Sequence, residues 1–355
     1  MILRRQDPTP MRRKTRFASR LSALVLGLGV VVTSCQSQGA GKQGRDLEAL
    51  LDRALSASRE GDWTRAATLW KDVFKAREGN DPESCLEAAR ALSELDEKEA
   101  AIEILQAGLK ADPDNPDLYE AKGRLLVDLG FRRSAEQCFE RALENDPERM
   151  SVLVALGRLR VELDREEAAL EPLERALELG CTEPGVLALY ARAQRAVGDR
   201  VVAWRVYREL IADEAAFDPA ERILIQIEAA GLGTDPSVLA SDPQAPSLAE
   251  AWLADVLRDE PANVAALFQR GVLLEARGLT EEAAASYASA LEHQPRHLAA
   301  MTNLACLYRR TGRVARAQEL LQSALEVEHD RQRRRAITNL IAACNEARAA
   351  QKAPE

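Results

Sequence analysis

Along most of the chain, small and apolar residues return in one 34-residue register. Counted from Pro116, the residues Gly123, Gly130, Ala135, Phe139, Ala142 and Pro147 occupy positions 8, 15, 20, 24, 27 and 32. The same template fits upstream from Pro82 (Ala89, Ala101, Leu105, Gly108, Pro113), and downstream from Met150 (Gly157, Ala169, Leu173, Ala176) and Pro184 (Ala191, Gly198, Ala203, Tyr207). It returns from Val264 (Gly271, Gly278, Ala283, Tyr287, Ala290, Pro295) and Leu298 (Ala305, Gly312, Ala317, Leu321, Ala324), and a weaker first copy starts at Leu47 (Gly61, Ala66, Trp70, Val73). Small residues at positions 8 and 20 let two helices approach closely, and a large apolar residue at 24 fills the space between pairs. Glycine at 15 suits a left-handed helix end, and proline at 32 stops the second helix. No stretch alternates with period two, so the pattern predicts an all-α chain.

These residues resemble the tetratricopeptide repeat (TPR), and the resemblance covers roughly residues 47–331. It implies a right-handed α-solenoid of about eight repeats. In that family the first helix of each repeat, helix A, lines the concave face, and its positions 2, 5, 9, 12 and 13 contact an extended or helical segment of a partner protein. The sixth repeat looks interrupted. Residues 219–231 suit helix A and 248–259 suit helix B, whereas 234–247, with three prolines and two Asp-Pro steps, reads as an exposed loop. Residues 332–355 read as a capping helix and tail that cover the end of the stack.

Composition refines this picture. Charged residues make up 30% of the chain and aromatic residues 4%, which suits Ala/Leu/Glu/Arg-rich helices. Residues 1–35 hold seven Lys or Arg and one Asp, leaving 41 basic and 56 acidic side chains in the remainder. So acidic a body argues against general nucleic-acid binding, where neutralising phosphates supplies most of the affinity.

The N-terminal segment carries its own signal. Arg4, Arg5, Arg12, Arg13, Lys14, Arg16 and Arg20 precede an uncharged run, Leu21 to Thr33, too short for a typical spanning helix but suited to a signal-peptide core. Translation starting at Met11 would keep that run. Val32-Thr33-Ser34-Cys35 resembles the lipobox of bacterial lipoproteins. That resemblance implies a signal peptide over 1–34, a diacylglycerol on the Cys35 thiol, and a flexible Gly/Ser/Gln-rich tether over 35–46. Gln36, rather than Asp, implies a periplasm-facing anchor in an outer membrane more than an inner one. The expected protein is a membrane-anchored adaptor in an envelope assembly. A soluble cytoplasmic scaffold and a glycan- or peptidoglycan-binding envelope protein stay open as alternatives.

No catalytic constellation and no cofactor motif is visible. His293 and His297 straddle Pro295 at a repeat junction and, like His329, read as solvated helix-end residues rather than metal ligands. Cys85, Cys138, Cys181, Cys306 and Cys344 read mainly as small apolar residues, with one disulfide left open. Trp63, Trp70, Trp204 and Trp252 read as core. The sharper signal is a ladder: Arg90, Arg124, Arg158 and Arg192 stand at a strict 34-residue spacing, each at position 9 of helix A. On the concave face such a ladder would meet carboxylates of an acidic segment with paired hydrogen bonds. Glu94, Asp128 and Glu162 lie four residues after the first three arginines and offer a competing reading as i,i+4 ion pairs. Arg192 has no such partner and has Arg195 beside it, which makes the groove there the best anion-binding candidate. A second basic cluster, Arg309 to Arg316 and Arg331 to Arg335, could meet an acidic partner or anionic headgroups, but reads first as a solvated, mixed-charge cap.

Overall fold

The computed structural model describes residues 40–77, 81–213 and 217–352, with the side chains of 40–45 and 350–352 left out. The signal segment, Cys35 and most of the expected tether lie outside the described residues. Where that tether was expected to continue to residue 46, the chain is already helical from Ala40.

Among the described residues there are eighteen helices and no strand. Sixteen form consecutive pairs: α1 (Ala40–Glu60) and α2 (Trp63–Ala76), α3 (Pro82–Glu94) and α4 (Lys98–Ala111), α5 (Pro116–Asp128) and α6 (Arg132–Asn145), α7 (Met150–Glu162) and α8 (Glu166–Glu178). These are followed by α9 (Pro184–Val197) and α10 (Arg200–Ala212), α11 (Pro219–Ala230) and α13 (Ala245–Asp259), α14 (Val264–Ala276) and α15 (Thr280–His293), and α16 (Leu298–Arg310) and α17 (Val314–Val327). Two remain: α12 (Pro236–Ser241), inserted in the sixth pair, and the terminal α18 (Arg331–Lys352). This is an all-α TPR solenoid.

Local chemistry sets the ends. Asp81, Asn115 and Asp218 cap α3, α5 and α11 through side-chain acceptors, each followed by a proline at the first helical position. Gly130, Gly198 and Gly278, with φ of 80°, 99° and 78°, turn the chain from the first helix of a pair into the second.

The core is a string of small clusters rather than one centre. Phe139 is buried against Gly123, where a Cβ would stand 2.6 Å from the ring; Leu173 fills the equivalent space over Gly157, and Tyr287 that over Gly271. Positions 8 and 24 therefore fit each other, pair after pair. First helices also pack directly on first helices, α3 on α5, α7 on α9 and α11 on α14, and the terminal α18 packs on α16. In TPR solenoids the first helices line the inner, concave side of the stack.

The sixth repeat departs from expectation. Residues 234–247 are not an exposed loop: Pro236–Ser241 form α12, capped by Asp235, and α13 already starts at Ala245. Val238 and Ala245 are fully buried. Arg200 pairs with Asp235, the Trp204 indole N–H donates to Asp242 Oδ2 at 3.0 Å, and Arg208 reaches the same oxygen at 2.9 Å. The insertion is thus fastened to α10 instead of hanging free. Backbone groups of so proline-rich a segment need local partners, and the side chains of α10 and the Asx turns at Asp235 and Asp242 supply the anchoring.

Candidate functional site: the concave arginine ladder

Each of the four position-9 arginines sits near the middle of a first helix, one residue after the small residue that packs inward. Arg90, Arg124 and Arg158 are exposed, and Arg192 is half-buried. The structure then divides the ladder. The Arg90 guanidinium lies over the Trp63 ring, 6.0 Å from its centroid. Arg124 is held by Glu120 Oε1 at 2.6 Å, the residue one turn before it. Among the described residues, neither Arg158 nor Arg192 has an ion-pair partner within 4.0 Å.

The expected i,i+4 pairs do not form. Asp128 turns to Lys98 at 3.8 Å and Glu162 to Arg132 at 3.8 Å. Both contacts join position 13 of one first helix to position 17 of the preceding pair, so stacking outcompetes the intrahelical turn. Arg195 is also less free than its sequence neighbourhood suggests. Glu228 of α11 comes within 3.9 Å of it and accepts the Tyr207 hydroxyl at 2.6 Å. Burial first, and Glu228 second, push the Tyr207 hydroxyl far above its ordinary pKa, with Arg195 and Arg192 opposing. A parallel cluster forms at the C-terminal end, where Glu275 accepts from Tyr287 at 3.0 Å and pairs with Arg310 at 2.8 Å.

Sequence reasoning missed the strongest polar centre. Arg160 Nε donates to Glu136 Oε1 at 2.9 Å, Nη2 to Glu140 Oε1 at 2.7 Å and Nη1 to the Ala168 carbonyl at 2.9 Å. Arg165 takes the other Glu136 oxygen at 2.6 Å. Burial alone would raise the Glu136 carboxyl, but its hydrogen bonds from Arg160 and Arg165 prevail and hold it below the ordinary glutamate range. Ala168 is the acceptor that Pro172, lying inside α8 without an N–H, cannot serve. The signal was present as a proline in mid-helix. This centre is structural, and it leaves the position-9 arginines outside it.

Other candidates carry less. His297 Nδ1 caps α16 by accepting the Ala300 N–H at 3.1 Å, and its ring lies 5.1 Å from Phe268. Among the described residues no group of three or more His, Cys, Asp or Glu side chains gathers as metal ligands do. The five described cysteines are free, and burial, with Asp81 in second place, pushes the Cys85 thiol up to about 11. Trp70, Trp204 and Trp252 are buried in the core. An open groove of about 670 Å³ between α4, α5 and α6 is lined by Gln106, Tyr119, Lys122 and Cys138 among others, and by none of the ladder arginines. No helix among the described residues is long and apolar enough to cross a membrane.

Residues 120–184 and 246–297 match one tetratricopeptide repeat family model, and residues 57–125 and 274–344 match a second. The chain belongs to the tetratricopeptide repeat family. The unmatched middle, 185–245, includes the interrupted sixth TPR, where α12 breaks the period. As a class, TPR proteins are scaffolds, generally non-enzymatic, that bind peptide segments of partner proteins. No curated protein matches the chain. Similar solved structures include the pilF protein of Pseudomonas aeruginosa, at 19% identity and TM-score 0.49, over 63% of this chain and 96% of that one. A tetratricopeptide repeat protein from Parabacteroides merdae is 13% identical with TM-score 0.43, over 84% of this chain and 99% of its own. MamA is 18% identical with TM-score 0.44, over 50% and 100%. All three likenesses are distant.

Proposed function

We propose that this TPR protein is a membrane-anchored adaptor whose concave face holds an acidic, extended segment of a partner protein in an envelope assembly. One observation carries the reading of the groove: Arg158 and Arg192 lie one repeat apart on the adjacent inner helices α7 and α9, with their guanidinium groups uncommitted to any ion pair among the described residues. Packed helices stand roughly 8–10 Å apart. A polyproline-II segment repeats its side-chain direction every three residues, at roughly 9 Å. Two carboxylates three positions apart on such a segment match the arginine spacing, and each guanidinium can grip its carboxylate bidentately. The anchor rests on the basic N-terminal segment, the apolar run and the Val32-Thr33-Ser34-Cys35 ending.

Two experiments test the two halves separately. In-cell crosslinking and mass spectrometry compare wild type with an Arg158→Ala/Arg192→Ala variant of unchanged thermal stability. Selective loss of one partner with an acidic extended segment is expected, and an unchanged partner set defeats the groove assignment. Metabolic labelling with a clickable fatty acid should mark the wild type and not Cys35→Ser; an unlabelled wild type removes the anchor.

A further inference from the structure

Two regions of the described solenoid differ sharply in charge. Residues 81–128, from the start of α3 to the end of α5, carry thirteen acidic and five basic side chains, whereas residues 296–352 carry five acidic and eleven basic ones. In α3–α5 the exposed Glu99 and Glu103, one turn apart on α4, make no ion pair among the described residues. At the C-terminal end, α18 packs its apolar side on α17 through Ile337, Leu340, Ile341 and Cys344. Four of its first five residues are arginines.

Those arginines are not equivalent. Arg334 donates to the Leu325 and Glu328 carbonyls and so ties α18 to the end of α17. Arg333 stands 3.7 Å from Glu328, and its own N–H is capped by Asp330 at 2.9 Å. Arg331 and Arg335, one turn apart and exposed, have no ion-pair partner among the described residues. The first turn of α18 contains no acidic residue, so its positive charge opposes the positive end of its own helix. No ion pair of Arg331 or Arg335 among the described residues offsets that placement. An external negative surface would.

We propose that the arginine-rich C-terminal end, centred on Arg331 and Arg335, docks on the acidic α3–α5 region of a second copy, with Glu99 and Glu103 as its counterparts. Each side offers two like charges one helical turn apart, of opposite sign to the other. The surfaces lie on different parts of the chain, so the contact is heterologous and head to tail, and it can extend beyond two copies. It leaves the concave arginines untouched and does not depend on what they bind. Exposed ion pairs are weak singly and screened within about 10 Å at moderate salt, so the association is reversible and salt-sensitive.

Sedimentation velocity of the full-length chain in a mild detergent tests this at low and high salt. The average mass of the wild type should rise with concentration at low salt and fall back at high salt. Arg331→Gln/Arg335→Gln and Glu99→Gln/Glu103→Gln, each with unchanged thermal unfolding, should weaken association by about tenfold or more. Mixing the two variants should restore a one-to-one complex, because each keeps the surface that the other lacks. A wild type that does not associate, or a mixture that yields no complex, overturns the proposal. So does a result in which the arginine variant associates normally and loses only binding to phosphatidylglycerol vesicles.

Discussion

The third and fourth pairs, α5 to α8, and the sixth, α11 to α13, solve the same packing problem in different ways. In the regular pairs several partners are supplied one repeat along the stack. Arg149 reaches back to Asp117 and Glu120, Arg165 to Glu136, and Arg175 to Glu148 at 2.7 Å, all at separations of 27 to 32 residues. In the sixth pair the phase is broken, and α12 folds back on α10 of the preceding pair, held by Asp235 and Asp242 against Arg200, Trp204 and Arg208. The lesson is that a repeat can be lengthened if the added residues bring their own caps and carboxylates. Stability in the regular region comes from apolar complementarity and a ladder of ion pairs; in the insertion it rests on a few polar fasteners and one buried valine.

That difference can be broken first where packing is tightest. Phe139 is 1% exposed and fills the gap over Gly123. Phe139→Ala should cost about 3–5 kcal/mol in urea unfolding, since Gly123 leaves nothing to collapse into the cavity. Because neighbouring repeats stabilise one another, a lower midpoint should be joined by a shallower transition, as the stack splits at α5–α6.

The next effect belongs to Arg160. Removing its side chain leaves Glu136 held by Arg165 alone and the Ala168 carbonyl without its donor, and Arg160→Ala should cost about 2–3 kcal/mol. Pro172→Ala gives Ala168 a backbone donor again. In the double variant the loss should be smaller than the sum by about 1 kcal/mol, a coupling that a double-mutant cycle in urea measures directly. Strict additivity would show that Arg160 acts through its carboxylates alone.

In the insertion, smaller and more local effects are expected. The Trp204 N–H, opposed by burial and aided by Arg208, lowers the Asp242 pKa; burial raises that of Asp235, but Ser237 and Arg200 outweigh it. Both folded values lie below the unfolded reference of 3.8. Their contribution is therefore fully present above that value and is lost as pH falls through the folded values. Hydrogen exchange should find α12 opening before α5–α8 on acidification, and Asp242→Ala should reproduce this at neutral pH at a cost of about 1 kcal/mol. Simultaneous loss of protection in both regions would show that α12 is part of the common core.

How much of this was legible follows from the same contrast. The fits of Gly123 to Phe139, Gly157 to Leu173 and Gly271 to Tyr287 repeat with the period, so a single sequence reveals them. The equivalent mid-helix position of the four arginines is legible for the same reason. Their partners are not: Glu120 and Trp63 compete for Arg124 and Arg90 through side-chain rotamers that spacing does not encode. Asp128 and Glu162 leave their own helices because a lysine or arginine of the preceding pair comes closer. α12 was hidden by its prolines. Pro236 occupies the first helical turn, where no N–H is needed, and thus starts a helix that a proline count read as loop.

The smallest expected effect on stability is the one that separates groove from scaffold. Arg158 and Arg160 are two residues apart on α7, yet one is exposed without an ion pair and the other is 13% exposed and bound on three sides. Surface side chains outside any network change stability by about 0.5 kcal/mol or less. Arg158→Ala and Arg192→Ala should therefore unfold like the wild type, singly and together, while Arg160→Ala does not. If recognition rests on the first two, a peptide bearing two carboxylates three residues apart should lose affinity in the double variant with no change in the unfolding curve. If instead the double variant is destabilised by more than about 1 kcal/mol, the two arginines are holding the inner helices together, and their alignment is a property of the stack rather than of the groove.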